Sequence, residues 1–303
     1  MMDSAATGIG GRLMPRTSPL LTVLALCAAS ALAACGSSGD GGSRAGGDLA
    51  PATAATARAG CARTGGPVPA SVPGAPLRTL LRVPPTARGH RAPLVVALHF
   101  ATGDGAAMER QTRLTPEARR AGFVIAYPTA TAGGFWEPSD LPKLARTIAA
   151  IERAACIDRS RVYALGWSNG GGMAALAACR IADTVAAVAL FAPAVDTSAG
   201  CRPSRPVSVL EVHGTADAIV PYAAGRSLIG GWAARDGCRT TPVTHPAGAK
   251  AARLRWSGCR GGAAVEHLRL DGGRHVELFD DLRAAGVDPG AVTWRFLAAH
   301  RLT

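Results

Sequence analysis

Val162-Tyr-Ala-Leu-Gly-Trp-Ser-Asn-Gly-Gly-Gly-Met-Ala174 is the stretch whose reading decides the fold. An apolar run that reads as a strand gives way to Gly166-Trp167-Ser168-Asn169-Gly170, and then to the small-residue run Met173 to Ala178, which reads as a helix. Glycine on both sides of a serine, between strand and helix, is the pattern of a nucleophile elbow. The chain turns so sharply there that a Cβ at either flanking position would strike its neighbours, and the serine is held strained with its hydroxyl at the strand's carboxyl end. In a chain with 37 glycines among 303 residues the five-residue pattern alone is only suggestive. The strand before it and the helix after it give it meaning.

Working outward, the segments alternate in type. Leu77 to Val83 reads as a strand stopped by Pro84-Pro85, and Leu94 to His99 as a strand apolar on both faces, the mark of a parallel sheet's interior. Ala106 to Gly122 reads as helix in two pieces, with Thr115 as N-cap, Pro116 in the first helical position and Gly122 as the stop. Phe123 to Tyr127 is the next strand. A loop carrying Phe135 and Trp136 follows, and Asp140 caps a helix to about Ala155 whose Leu144, Ile148 and Ile151 share one face. Beyond the elbow come strands at Val185 to Leu190 and Ser208 to Val212, a helix at Ala223 to Asp236, a strand at Val265 to Leu270, and a closing helix from Asp288 or Pro289 to His300. This alternation predicts an α/β fold: a mostly parallel, doubly wound sheet with helices on both faces, in a single domain over residues 61–303. Sites in such sheets lie at the carboxyl ends of the strands.

A serine hydroxyl is a weak nucleophile until a base takes its proton, so Ser168 needs a histidine and an acid to orient it. In elbow-bearing sheets these follow in the order serine, acid, histidine. Of the histidines beyond Ser168, His267 sits within a strand pattern, His300 at a helix tail and His245 in an irregular stretch. His275 follows a strand through Asp271-Gly-Gly-Arg274 and so reaches the carboxyl edge of the sheet. For the acid, Asp217 in the turn after His213-Gly214 is favoured over Asp196 and Asp271, and His213 is assigned a structural hydrogen bond within that turn. The oxyanion donors are expected to be the Asn169 amide and an amide of Phe100 or Ala101, in the loop after His99. Trp167, Phe135 and Trp136, with Phe100, are candidates for shallow apolar walls beside the serine. Without a long apolar insertion to form a lid, the site reads as open and suited to short acyl groups. No metal and no cofactor is called for.

The first 34 residues read as an export signal, with Arg12 and Arg16 before the apolar run Pro19 to Ala34, too short to span a membrane. The run ends in Leu32-Ala-Ala-Cys35-Gly36, the form of a lipoprotein box in which Cys35 becomes the acylated N-terminus. Residues 35–60 are Gly, Ser, Ala and Thr with few large apolar side chains, and read as a flexible tether. Of eight cysteines, Cys27 lies in the signal and Cys35 is the expected lipid site, leaving Cys61, Cys156, Cys179, Cys201, Cys238 and Cys259 for the exported domain. An even number without a C-x-x-C pair predicts three disulfides, with Cys61–Cys156, Cys179–Cys201 and Cys238–Cys259 preferred because the last two close short loops. The net charge of +12 is almost all arginine, scattered and without a basic helix, so it argues against a nucleic-acid partner. The partners expected are an ester substrate, small or polymeric, and a membrane surface through the lipid on a monomer held outside the plasma membrane.

Leu94 to Gly105, Cys156-Ile-Asp-x-x-Arg-Val-Tyr163, the elbow with its Ser-Asn-Gly-Gly-Gly-Met, His213-Gly-Thr-Ala-Asp-x-x-Val-Pro-Tyr222 and Trp232-x-x-x-Asp-Gly-Cys238 together resemble the polyhydroxybutyrate depolymerase and feruloyl esterase family of α/β-hydrolases. The similarity is strongest to its LpqC-like actinobacterial esterase lipoproteins, over residues 61 to 280. It implies a secreted carboxylic-ester hydrolase with Ser168, Asp217 and His275 as the triad. Two positions depart from the family pattern: Phe100 follows His99 where the family has glycine, and Val276-Glu277 follow His275 where the family has Trp-Pro. Competing readings are a catalytically silent envelope protein using the fold as a binding module, which an intact triad argues against, and a serine peptidase, whose usual extra domain this chain has no room for.

Overall fold

The computed structural model describes residues 72–194 and 200–303. The expected signal, Cys35, the tether, Cys61 and Asp196 lie outside the described residues. Nine strands form one sheet: β1 (Thr79–Arg82), β2 (Ala92–Leu98), β3 (Val124–Pro128), β4 (Ile157–Trp167), β5 (Ala187–Phe191), β6 (Ser208–Gly214), β7 (Val243–Gly248), β8 (Ala251–Trp256) and β9 (Val265–Leu270). Their order is β1-β3-β2-β4-β5-β6-β9-β8-β7. From β3 through β9 the pairings are parallel, while β1 and the β7–β8 hairpin run antiparallel at the two edges. The helices are α1 (Gly105–Thr112), α2 (Leu114–Ala121), α3 (Leu141–Ala154), α4 (Asn169–Arg180), α5 (Tyr222–Arg235), α6 (Leu278–Ala284) and α7 (Pro289–Ala298).

The two-residue period of a strand splits the apolar runs between two cores. Leu94, Val96 and Leu98 of β2 join Val162 and Ala164 of β4 in a core with Leu144, Ile148 and Ile151 of α3, the alanines of α4, and Leu228 and Trp232 of α5. Val95 and Ala97 of β2 and Tyr163, Leu165 and Trp167 of β4 face the other way, onto Met108 of α1, Ala118 of α2, Phe279 and Leu282 of α6, and Phe296 and Leu297 of α7. Each large apolar side chain enclosed this way is worth about 1.5–3 kcal/mol against exposure. This is the doubly wound sheet of an α/β-hydrolase, and it brings the carboxyl ends of β2, β4, β6 and β9 to one edge.

Several local expectations change. The break between α1 and α2 falls at Arg113, which is left-handed (φ 53°). Thr115 therefore lies inside α2, and the cap of α1 is Asp104, whose carboxylate accepts from the Ala107 amide at 2.7 Å. Asp140 precedes α3 without capping it: its carboxylate is buried and accepts from Thr131 Oγ1 and Lys143 Nζ. His245 lies on β7, in a hairpin that the sequence did not announce, because the edge strand is almost wholly exposed and carries Pro246 and Gly248.

Two disulfides join cysteines that both lie among the described residues. Cys179–Cys201 ties the end of α4 to the chain before β6, and Cys238–Cys259 ties the end of α5 to the turn between β8 and β9. Cys156 is disulfide-bonded as well. Bonds that span 22 and 21 residues restrict the unfolded chain and hold the helices of one face to the sheet. Replacing Cys238 and Cys259 together with serine should lower the unfolding free energy by about 2–4 kcal/mol. Urea denaturation checks this, and an unchanged midpoint would show that the cross-link adds nothing.

Candidate active site

Ser168 joins β4 to α4 with φ 55° and ψ −119°, a conformation costing a non-glycine residue on the order of 1–3 kcal/mol. Its backbone is fixed on both sides: the amide donates to the Phe191 carbonyl at 2.8 Å, and its carbonyl accepts from Ala194 at 2.9 Å and Gly172 at 3.1 Å. The flanking glycines are required by close approach. A Cβ on Gly166 would collide with the Gly170 carbonyl, and one on Gly170 with the carbonyls of Leu98 and His99 at the end of β2.

Ser168 Oγ lies 2.9 Å from His275 Nε2, and His275 Nδ1 lies 2.6 Å from Asp217 Oδ2. The other carboxylate oxygen of Asp217 accepts from the amides of Ile219 at 2.9 Å and Val220 at 2.7 Å. All three side chains are buried. The loops that deliver them are stitched together: Thr215 N donates to Leu270 O, Ala216 N to Gly273 O, and Gly272 N to Thr215 Oγ1. A Cβ on Gly214 would strike the Gly273 carbonyl, so the acid and histidine loops meet where only glycine fits. Behind the histidine loop, Arg274 is held by Asp281 at 2.8 Å. Asp271 is half-exposed and paired with Arg269. His300 lies at the far end of α7, where burial pushes its imidazole pKa down.

The Asn169 amide opens α4 and has no acceptor within that helix. Among the described residues the amides of Phe100 and Ala101 donate to no protein group, while the Phe100 carbonyl accepts from Gly103 in a tight turn. Since Gly170 packs against the end of β2, this turn lies beside the first turn of α4. His99 holds it there: Nε2 accepts from the Ala130 amide at 3.0 Å, so the proton sits on Nδ1 and donates to the Phe100 carbonyl at 2.7 Å. Burial lowers the His99 pKa, in keeping with a neutral ring.

Of the aromatic residues expected as walls, Phe135 is exposed, whereas Trp136 and Trp167 are buried. Trp167 packs between Phe100, His275 and Phe279 and backs the histidine. Trp136 donates its indole N–H to His99 O, and the Asn169 side chain grips the Trp136 backbone through both its amide and its carbonyl. That clamp was not read from sequence; an asparagine directly after Ser168 was its only trace. A small cavity of about 50 Å³ opens along α4, lined by Trp136, Pro138, Asn169, Met173 and Leu176. A larger one of about 520 Å³, between β1 and α2 and lined in part by Arg82, Arg88 and Arg119, contains none of the candidate triad, oxyanion or wall residues.

The geometry can be set beside known proteins. The family model described as Esterase PHB depolymerase matches residues 77–224. Feruloyl esterase B of Piromyces equi is 28% identical over 215 residues, which cover 61% of this chain and 40% of that protein. A bifunctional acetylxylan esterase/xylanase of Neocallimastix patriciarum is 27% identical over 203 residues, covering 63% of this chain and 30% of the relative. The chain thus spans less than half the length of either. Among solved structures, an acetyl xylan esterase from Aspergillus awamori superposes with a TM-score of 0.53 at 16% identity, over 72% of this chain and 97% of that one, a likeness of fold.

Proposed function

We propose that this chain, whose residues 77–224 belong to the Esterase PHB depolymerase family, is a serine hydrolase of carboxylic esters working through an acyl-enzyme. The observation that carries the reading is the continuous hydrogen-bonded line from Ser168 Oγ through His275 to Asp217. His275 Nε2 takes the hydroxyl proton as Oγ bonds to the ester carbonyl carbon. The oxygen that becomes negative is met by the Asn169 amide and by that of Phe100 or Ala101. Asp217 holds the ring with its proton on Nδ1 and stabilises the imidazolium that forms. Collapse expels the alcohol, which leaves with the proton from Nε2. Water then repeats the steps, freeing the acid and Ser168.

The names of the relatives point to esters of plant cell-wall polysaccharides, and the family name to polyhydroxybutyrate, so an ester attached to a polymer is within the proposed range. The lining aromatics are mostly buried and the cavity beside Asn169 is small, which favours short acyl groups over long ones. For the segment outside the described residues, the reading is that residues 1–34 direct export, Cys35 carries the lipid, and residues 35–60 tether a catalytic domain of residues 61–303. The disulfides support an oxidising compartment.

Ser168→Ala and His275→Ala should each reduce kcat on p-nitrophenyl esters by several orders of magnitude without altering the circular dichroism spectrum, and the double variant should lose no more than either single one. Asp217→Asn should cost on the order of 10⁴. Turnover near wild type in any of these would remove that residue from the mechanism. Across a series of acyl lengths, kcat/KM should fall beyond about four to six carbons, since apolar contact gains little where the chain is not enclosed; an optimum at long chains would reveal a tunnel. Detergent phase partitioning should place the wild type with membranes and Cys35→Ser in the aqueous phase. Wild type in the aqueous phase would exclude the anchor.

A further inference from the structure

Beyond the triad, the protein buries a second set of ionisable groups. Glu211 of β6 stands directly opposite His267 of β9 in the parallel register, and His213 lies two residues further along β6 on the same face. All three side chains are fully buried. One Glu211 oxygen lies 2.8 Å from His213 Nδ1 and the other is bonded to His267 Nδ1. His267 Nε2 in turn faces the Tyr222 hydroxyl of α5 at 2.9 Å. The helix closes tightly over the group: a Cβ on Gly225 would come 2.6 Å from the Glu211 oxygen and overlap the His213 ring. Such a carboxylate is tolerable inside a protein only if charge and hydrogen bonds meet both of its oxygens, as they do here.

The hydrogen bonds indicate where the protons sit. His213 Nε2 lies 3.0 Å from the Val220 carbonyl, an acceptor only, so Nε2 carries a hydrogen. Its Nδ1 faces the Glu211 carboxylate, which when ionised also only accepts, so both ring nitrogens are protonated. Burial alone would push the Glu211 carboxyl up; the two imidazoles that close on it, His267 first, hold it below the usual carboxylate range. Against the downward push of burial, the bond and charge of Glu211 raise the His213 imidazole above its ordinary value, aided by the Val220 carbonyl and Asp217. At the outer edge Arg226 of α5, and Arg269 of β9 with Asp271 beyond it, act on Tyr222; on the inner side stand Asp217 and His275.

His213 Nε2 is also 3.3 Å from Asp217 Oδ2, the oxygen that accepts from His275. We propose that His213 is a positioning residue: a buried imidazolium, charged by Glu211, that holds the Asp217 carboxylate turned toward His275. It acts twice on the acid loop, because Val220 gives its amide to Asp217 and its carbonyl to His213. The inference rests on the triad reading above.

Glu211→Gln keeps the size of Glu211: its amide oxygen can still accept from His267, its NH2 donates to a neutral His213 Nδ1, and the charge that holds the second proton on His213 is gone. With a positive neighbour lost from Asp217, the acid limb of the kcat/KM profile should move up by about half a pH unit or more, with KM unchanged. A limb that stays in place would reduce His213 to packing and overturn the proposal. Ring-nitrogen NMR of the wild type near neutral pH should find both His213 nitrogens protonated, and in Glu211→Gln only Nε2. A neutral His213 in the wild type overturns the proposal even if the variant fails to fold. Ser168→Ala, carried through both measurements, separates the two readings: if the triad is wrong it retains turnover, while the NMR state of His213 still decides the charge.

Discussion

The close approach of α4 to the ends of β2 and β4 is the constraint on which the site depends. Gly166 and Gly170 lie so near the Gly170, Leu98 and His99 carbonyls that no side chain fits at either position. Because the two glycines let the helix begin there, Ser168 alone absorbs the reversal, with a positive φ. The amide that opens α4 and the turn after β2 are thereby brought side by side. The placement of the proposed nucleophile beside its proposed oxyanion donors is one geometric consequence of two missing Cβ atoms.

The same device recurs at the other half of the site. Gly214 and Gly273 let the loops after β6 and β9 press together, and three hydrogen bonds fasten them. Gly225 lets α5 sit on Glu211 and His213. The proposed triad therefore stands on backbone contacts between loops, with the sheet and its cross-linked helices beneath. Ser168 and His275 arrive on separate strands, 107 residues apart in the chain, yet their side chains meet at hydrogen-bond distance.

Much of this was legible in the sequence where burial leaves a periodic trace. Strands β2 and β5, and β4 from Val162 on, are covered on both faces and read as unbroken apolar runs. The proposed roles of Ser168, Asp217 and His275 were read from chain order and from their places after strands, and the His275 side chain lies within hydrogen-bond distance of the other two. Elements that bury little left no such trace: β7 is exposed along almost its whole length, and α6 spans only seven residues. The Glu211 cluster had a signal that went unused, since an acid in Ser208-Val-Leu-Glu-Val212 and a histidine in Val265-Glu-His-Leu-Arg-Leu270 are out of place in strands buried on both faces. Which partners would neutralise them depended on strand register, which no single stretch encodes.

The claim that Ser168 is an activated nucleophile is tested most directly by reaction with a fluorophosphonate and peptide mass spectrometry of the product. The account predicts a single covalent adduct, on the peptide containing Ser168, formed in proportion to the loss of ester turnover. Inactivation without an adduct there, an adduct on another residue, or an unlabelled protein that still turns over ester would contradict it.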